Sequence, residues 1–185
     1  MMRKGLYQCA QPDLLYTGDM DLTILQLAPD EWPRYRQLRL EALQDSPQAF
    51  VTTYSDMLTR PASFWQERLS RAAEGQTTWL LFAQADERLV GMIGAYLPTD
   101  EDTPEVVSVY VSPEYRGRGV SGALMEAILA TLRQKGFRQA RLTVNRCQTA
   151  ALGLYRRFGF QIVGEREETA GDGLLHPGYI MVKDL

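Results

Sequence analysis

The sequence predicts an α/β fold of the mixed α+β kind, a single domain whose central, mostly antiparallel sheet is flanked by helices. Three observations predict it. Apolar residues alternate along the chain between a two-residue period and a three-to-four-residue period. Two apolar runs, residues 77–84 and 89–97, are joined by the charged turn Asp86-Glu87-Arg88, as in an antiparallel hairpin. A chain of 185 residues, 45% hydrophobic and 23% charged, can bury one substantial core and is short for two.

Residues 1–20 lack periodicity and read as a flexible extension, with Met20 a second possible start, so that the domain spans 21–185. Leu22 to Leu27 reads as a strand. Pro29, Asp30 and Glu31 then open a helix, the two acids suiting its positive N-terminal end. Trp32, Tyr35, Leu38 and Ala42 give that helix one apolar face, and Asp45-Ser46-Pro47 ends it. Pro61 lies near the start of a second helix, with Trp65, Leu69 and Ala72 in phase and Gly75 closing it. After the hairpin, Glu105 to Ser112 carries Val106, Val107, Val109 and Val111, a β-branched run suited to a central strand.

Val120, Leu124, Ile128 and Leu132 recur every four residues in a long helix that Gly136 stops. Ala140 to Val144 is a further strand. Ala151, Leu154, Tyr155 and Phe158 share one face of the next helix, which Gly159 ends. Phe160 to Val163 and Tyr179 to Val182 are the last strands, separated by Gly171-Asp172-Gly173 and Pro177-Gly178.

Composition narrows the function. A net charge of −3 without a basic stripe gives no pull towards nucleic acid or an anionic membrane. The two cysteines, Cys9 and Cys147, match no metal or redox spacing, which suits a reducing cytoplasm without a metal site. No apolar run is long enough to cross a bilayer, and Arg3 and Lys4 are followed by no secretory apolar stretch.

The chemistry concentrates at Tyr115-Arg116-Gly117-Arg118-Gly119-Val120-Ser121, between a strand and a helix. Gly117 and Gly119 let the backbone adopt positive φ and approach a ligand. The first-turn amides of the helix then converge on one point that favours negative charge, and Arg116 and Arg118 add donors for phosphate oxygens. The turn reads as a diphosphate site. It is not a Walker loop, since no Gly-Lys-Ser/Thr follows, and it fails the dinucleotide fingerprint in spacing.

The run from Val109-Tyr110-Val111-Ser112-Pro113 through Gly119-Val120 closely resembles the acetyl-CoA motif of the GCN5-related N-acetyltransferases, the GNAT superfamily. Leu142-Thr143-Val144-Asn145 through Ala150, Leu154, Tyr155, Gly159 and Phe160 resembles that family's second signature. Arg39-Leu40-Glu41-Ala42-Leu43 with Pro47, Ala49 and Phe50 is similar to the opening of its small bacterial members. The resemblance implies two splayed parallel strands, ending Val109-Tyr110-Val111 and spanning Leu142 to Asn145, that admit a pantetheine between them. It further implies cofactor contacts from Val109, Tyr110, Val111, Arg116, Gly117, Arg118, Gly119, Val120, Ser121, Asn145, Gln148 and Ala151. Two positions depart from the family pattern. Ser121 fills the last small-residue position of the motif, and Gln148 replaces an asparagine common before the helix tyrosine, with Asn145 nearby in another register.

By the same resemblance Tyr155 is the general acid, because a phenol keeps its proton at neutral pH and can give it to a leaving thiolate. Glu105 is the candidate general base, acting directly or through water; a solvated strand-start carboxylate is the plain alternative. His176 reads as a surface residue, Cys147 as inert, and Asp100-Glu101-Asp102 as a solvated loop that could favour a cationic acceptor. Phe50, Tyr54, Phe64 and Trp65 are candidates to line an acceptor pocket, with core packing the default for Phe64 and Trp65. The expected activity is acetyl transfer from acetyl-CoA to an amine of a small molecule or peptide in a ternary complex. A non-catalytic acyl-CoA sensor is the alternative, and a homodimer is left open.

Overall fold

The computed structural model describes residues 21–185; the expected extension and Cys9 lie outside them. Seven strands form one sheet in the order β1-β2-β3-β4-β5-β7-β6. They are β1 (Leu22–Leu25), β2 (Thr78–Ala85), β3 (Arg88–Tyr96), β4 (Glu105–Val111), β5 (Gln139–Asn145), β6 (Gln161–Thr169) and β7 (Leu175–Asp184). The helices are α1 (Trp32–Asp45), α2 (Tyr54–Leu58), α3 (Ala62–Glu74), α4 (Val120–Gln134) and α5 (Thr149–Arg157). The predicted order holds throughout, with one addition. The short helix α2 was not predicted; it is capped by Thr53, whose hydroxyl accepts from the Asp56 amide at 3.1 Å.

Strands β2 and β3 are buried on both faces because helices cover both sides of the sheet. On one side Trp79, Leu81, Ile93, Val106 and Val111 pack against Leu124, Ile128 and Leu132 of α4 and Leu154 of α5. On the other, Leu80, Phe82, Met92 and Tyr110 pack against Tyr35 and Leu38 of α1 and Trp65 and Leu69 of α3. Tyr35 sits edge-on to both Trp65 and Phe82, at 5.2 and 5.4 Å. The predicted helix faces are thus the buried ones. Gly91 lets α4 close on β3: a Cβ there would stand 3.0 Å from both Leu124 Cδ1 and the Tyr110 carbonyl oxygen.

Two features of the sheet shape the site. Every neighbouring pair is antiparallel except β4 and β5, which are parallel and register at a single pair, Glu105↔Arg141. Beyond that pair they part. The β3–β4 register also shifts between Met92 and Gly94, and Ser108 takes φ +58° in the bulge. This is a left-handed conformation that costs a serine about 1–3 kcal/mol. The last hairpin runs longer than predicted, since β6 continues through Glu165-Arg166-Glu167-Glu168 to pair with Gly178, Pro177 and His176.

Candidate active site

Where β4 and β5 diverge, a cleft of about 660 Å³ opens. Val107, Ser108, Val109, Tyr110 and Val111 form one wall, and Thr143 with Cys147 to Ala151 and Tyr155 the other. The loop from Gln48 to Thr52 and the side chains of Arg39, Tyr96, Glu105, Arg166 and Glu168 close the remaining sides.

The turn at one end has the predicted form. Gly117 and Gly119 have φ of +74° and +83°, and nothing lies within 4 Å of a Cβ built on Gly117. The Ala123 amide is the first to reach back into the turn, donating to the Gly119 carbonyl at 3.0 Å. Among the described residues the amides of 117–122 donate to no backbone or side-chain acceptor. Six adjacent donors at the positive end of a fifteen-residue helix form a cradle for an anion such as a diphosphate. Ser121 leaves that cradle open. Val120 is buried in the core, so only its backbone belongs to the turn.

The two arginines differ. Arg118 carries no ion pair among the described residues and lies over the Tyr115 ring at 5.7 Å, leaving its charge available. Arg116 is committed instead to the scaffold: its Nε donates to the Val111 carbonyl at 3.0 Å and its Nη2 pairs with Asp45 of α1. It thereby ties the end of β4 to α1.

Tyr110 turns away from Val109 and Val111, as the strand period predicts, and its hydroxyl donates to Glu41 at 3.2 Å. Burial, and then Glu41, raise its pKa. Asn145 uses its side chain locally, accepting from the Cys147 amide at 2.9 Å, and lines a separate cavity of about 50 Å³ with His176. Its Nδ2 is buried without a partner. Gln148 borders both cavities, and Ala151 faces the larger one.

Tyr155 is only 6% exposed and borders the cleft. Burial raises its pKa, and its hydroxyl makes no hydrogen bond to a described residue. Glu105, 9% exposed, sits where β4 and β5 still touch. Arg141 Nε donates to its Oε2 at 3.2 Å and the Tyr96 hydroxyl at 3.4 Å, so the carboxylate is paired rather than solvated. The pairing extends into the acidic loop, because Arg141 also binds Glu101 at 2.5 Å. That part of the loop is therefore engaged by the scaffold.

Of the four aromatic candidates for the acceptor pocket, only Phe50 reaches the cleft, while Phe64 and Trp65 take the core positions that were their default. Trp65 of α3 is fully buried against Tyr35 of α1, while Tyr54 and Phe64 pack against the same core. Phe50 lies in a loop, Tyr54 on α2 and Phe64 with Trp65 on α3, and proximity in sequence does not bring them to one surface. His176 pairs with Asp172 at 2.8 Å. Cys147 is exposed and has no imidazole partner among the described residues.

Known proteins place this architecture. A model of the Acetyltransferase (GNAT) family matches residues 27–160. The chain belongs to that family. Human N-acetyltransferase 8 is 30% identical over 120 residues, which are 62% of this chain and 49% of that protein. The chain therefore spans about half the length of that relative. A Streptococcus pneumoniae acetyltransferase of the GNAT family superposes with a TM-score of 0.76 at 19% identity, covering 89% of this chain and all of the other. The Salmonella typhimurium protein yncA, a putative acetyltransferase solved with acetyl-CoA, gives 0.74 at 16% identity over 89% of this chain and 94% of its own. These structures share the GNAT fold, with its seven-stranded, mostly antiparallel sheet.

Proposed function

We propose that this acetyltransferase moves an acetyl group from acetyl-CoA to a primary amine by direct transfer. The observation that carries the reading is the parting of β4 and β5 after one pair, beside a turn with six unengaged amides. Acetyl-CoA supplies the activated thioester. The cradle at 117–122 and Arg118 fit its diphosphate, and the unpaired edges of β4 and β5 fit the amides of its pantetheine arm. Val109 and Val111 contribute backbone groups to that edge, while Ala151 leaves room on the opposite wall.

The chain's own residues supply the proton movements. Tyr155 holds a proton on its hydroxyl at neutral pH and gives it to the sulfur as the carbon–sulfur bond breaks. Glu105, directly or through water, takes the proton that the amine loses as its nitrogen bonds to the acetyl carbon. Arg141 and Tyr96 hold that carboxylate in place. Direct transfer is supported by Cys147, the one cleft cysteine among the described residues, which has no activating base among them.

Isothermal titration with CoA and a thiol-release assay over an amine panel test the proposal. Micromolar CoA binding with amine-dependent thiol release is expected. CoA binding without release above background for any amine would favour the sensor reading.

A further inference from the structure

We propose that Arg39 is an anion-binding residue of the acceptor subsite and that the acceptor carries a carboxylate close to its reactive amine. The inference deepens the acetyl-transfer reading above and rests on it.

Arg39 is 7% exposed, yet it borders the cleft. Buried guanidinium groups are normally paired with carboxylates, because an uncompensated charge in a low-dielectric interior is costly. Arg39 belongs to none of the ion pairs among the described residues. Its side-chain partners are two hydroxyls, Thr52 Oγ1 at 2.8 Å and Ser108 Oγ at a long 3.4 Å. A guanidinium has five N–H donors, so most remain free. Its Cζ lies over the Phe50 ring, 4.4 Å from the centroid, a cation–π contact that helps hold the head group in place.

No carboxylate among the described residues is bonded to it. Tyr35 on α1, Arg68 on α3, Ser108 on β4 and Thr52 in the loop are the polar groups that face it, and Arg68 adds like charge. Desolvation accordingly lowers its pKa to about 10, which still leaves it charged at neutral pH. The bulge that forces Ser108 to φ +58° also holds its hydroxyl beside this guanidinium. Strain of this kind, kept in a non-glycine residue, clusters at ligand sites.

The other cation at this end of the cleft is already satisfied, since Arg166 pairs with Glu168 at 2.9 Å. Arg39 is thus the cleft cation with free valence. Glu105, the proposed base, borders the same space, so an acceptor with its amine at Glu105 can present a carboxylate to the free planar fork of Arg39. Ser108, which contacts Arg39, lies three residues along β4 from Glu105. A small amino acid or amino-acid-like amine has the matching chemistry. A simple polyamine does not.

The test uses the whole protein with saturating acetyl-CoA. Each common amino acid is compared with its carboxamide by thiol release, and N-acetyl amino acids are compared with N-acetyl amino amides by thermal shift of the CoA-loaded protein. Acids are expected to exceed amides about 100-fold in kcat/KM for at least one side chain, and only acids should raise Tm. Arg39→Gln should cost the acids about 100-fold and bring the acid-to-amide ratio close to one, with Arg39→Lys between. Unliganded Tm and CoA affinity report whether each variant folds; if neither does, the wild-type comparison decides alone. Amides that match or exceed acids overturn the inference. So does the absence of both turnover and thermal shift with every acid while CoA still binds. Failure to bind CoA at all instead overturns the acetyl-transfer reading beneath it.

Discussion

Replacing Tyr155 by phenylalanine isolates one hydroxyl. The ring is 6% exposed, packs edge-on to Phe160 with centroids 6.0 Å apart, and belongs to the core beneath α5. Phenylalanine keeps all of that packing. The hydroxyl has no hydrogen-bond partner among the described residues, so its removal relieves a desolvation cost instead of breaking a bond, and stability should change by less than about 1 kcal/mol. Turnover should respond very differently. Loss of a positioned proton donor typically slows a reaction about 10²–10⁴-fold, or about 3–5.5 kcal/mol of barrier.

Burial raises the pKa of this phenol above its ordinary value near 10. A raised acidic pKa means that its contribution to stability is complete below pH ~10 and is lost as pH climbs beyond it. The wild-type kcat profile should therefore show no alkaline fall from this group at neutral to mildly basic pH. Three measurements suffice: kcat by thiol release, CoA affinity by calorimetry, and a urea melt. A kcat within about threefold of wild type, with the melt unchanged, would remove Tyr155 from the chemistry.

Further substitutions probe the rest of the site. Gly117→Ala places a side chain at φ +74° in open space, so it should cost about 1 kcal/mol of stability from backbone strain alone. In calorimetry it should also weaken CoA binding, because the cradle must distort. Gly91→Ala drives a Cβ to 3.0 Å from Leu124 and the Tyr110 carbonyl, and a denaturant melt should show about 1–3 kcal/mol of destabilisation from overpacking. Glu105→Gln keeps the shape of the β4–β5 contact but removes the charge beside Arg141. It should lower kcat about 10²-fold or more while leaving CoA affinity unchanged; a kcat within about threefold of wild type rejects Glu105 as the base.

The sequence made the helices legible because each buries one stripe, and Tyr35, Leu38, Trp65, Leu69, Leu124, Ile128 and Leu132 are buried as their periods require. The anion cradle was equally legible, since glycine at two positions before a helix is a local signal. What failed was non-local or short. Helix α2 has five residues, too few for a period to develop. The extension of β6 is an edge segment of alternating acids and Arg166, with no apolar face to announce a strand. The pairing of Glu105 with Arg141 depends on strand register across α4, and Arg116's bond to Asp45 on a contact between distant elements. Arg39 did leave a trace. It falls four residues after Tyr35 and three before Ala42, a charged residue in the phase of an apolar stripe.

Where β4 and β5 part, their facing amide and carbonyl groups are left without a partner strand, and no codon change rewrites a main-chain atom. Variation therefore falls unevenly on this protein. The end proposed for the acyl donor is insulated from drift, because most single substitutions there leave the peptide groups where they were. The remaining sides of the cleft are built from side chains, Arg39, Phe50, Tyr96 and Arg166 among them, each replaceable while the sheet's backbone stays in place. Selection for a new acceptor can explore those positions while the acyl donor stays the same, and a mutational library confined to them is the economical place to look for altered specificity.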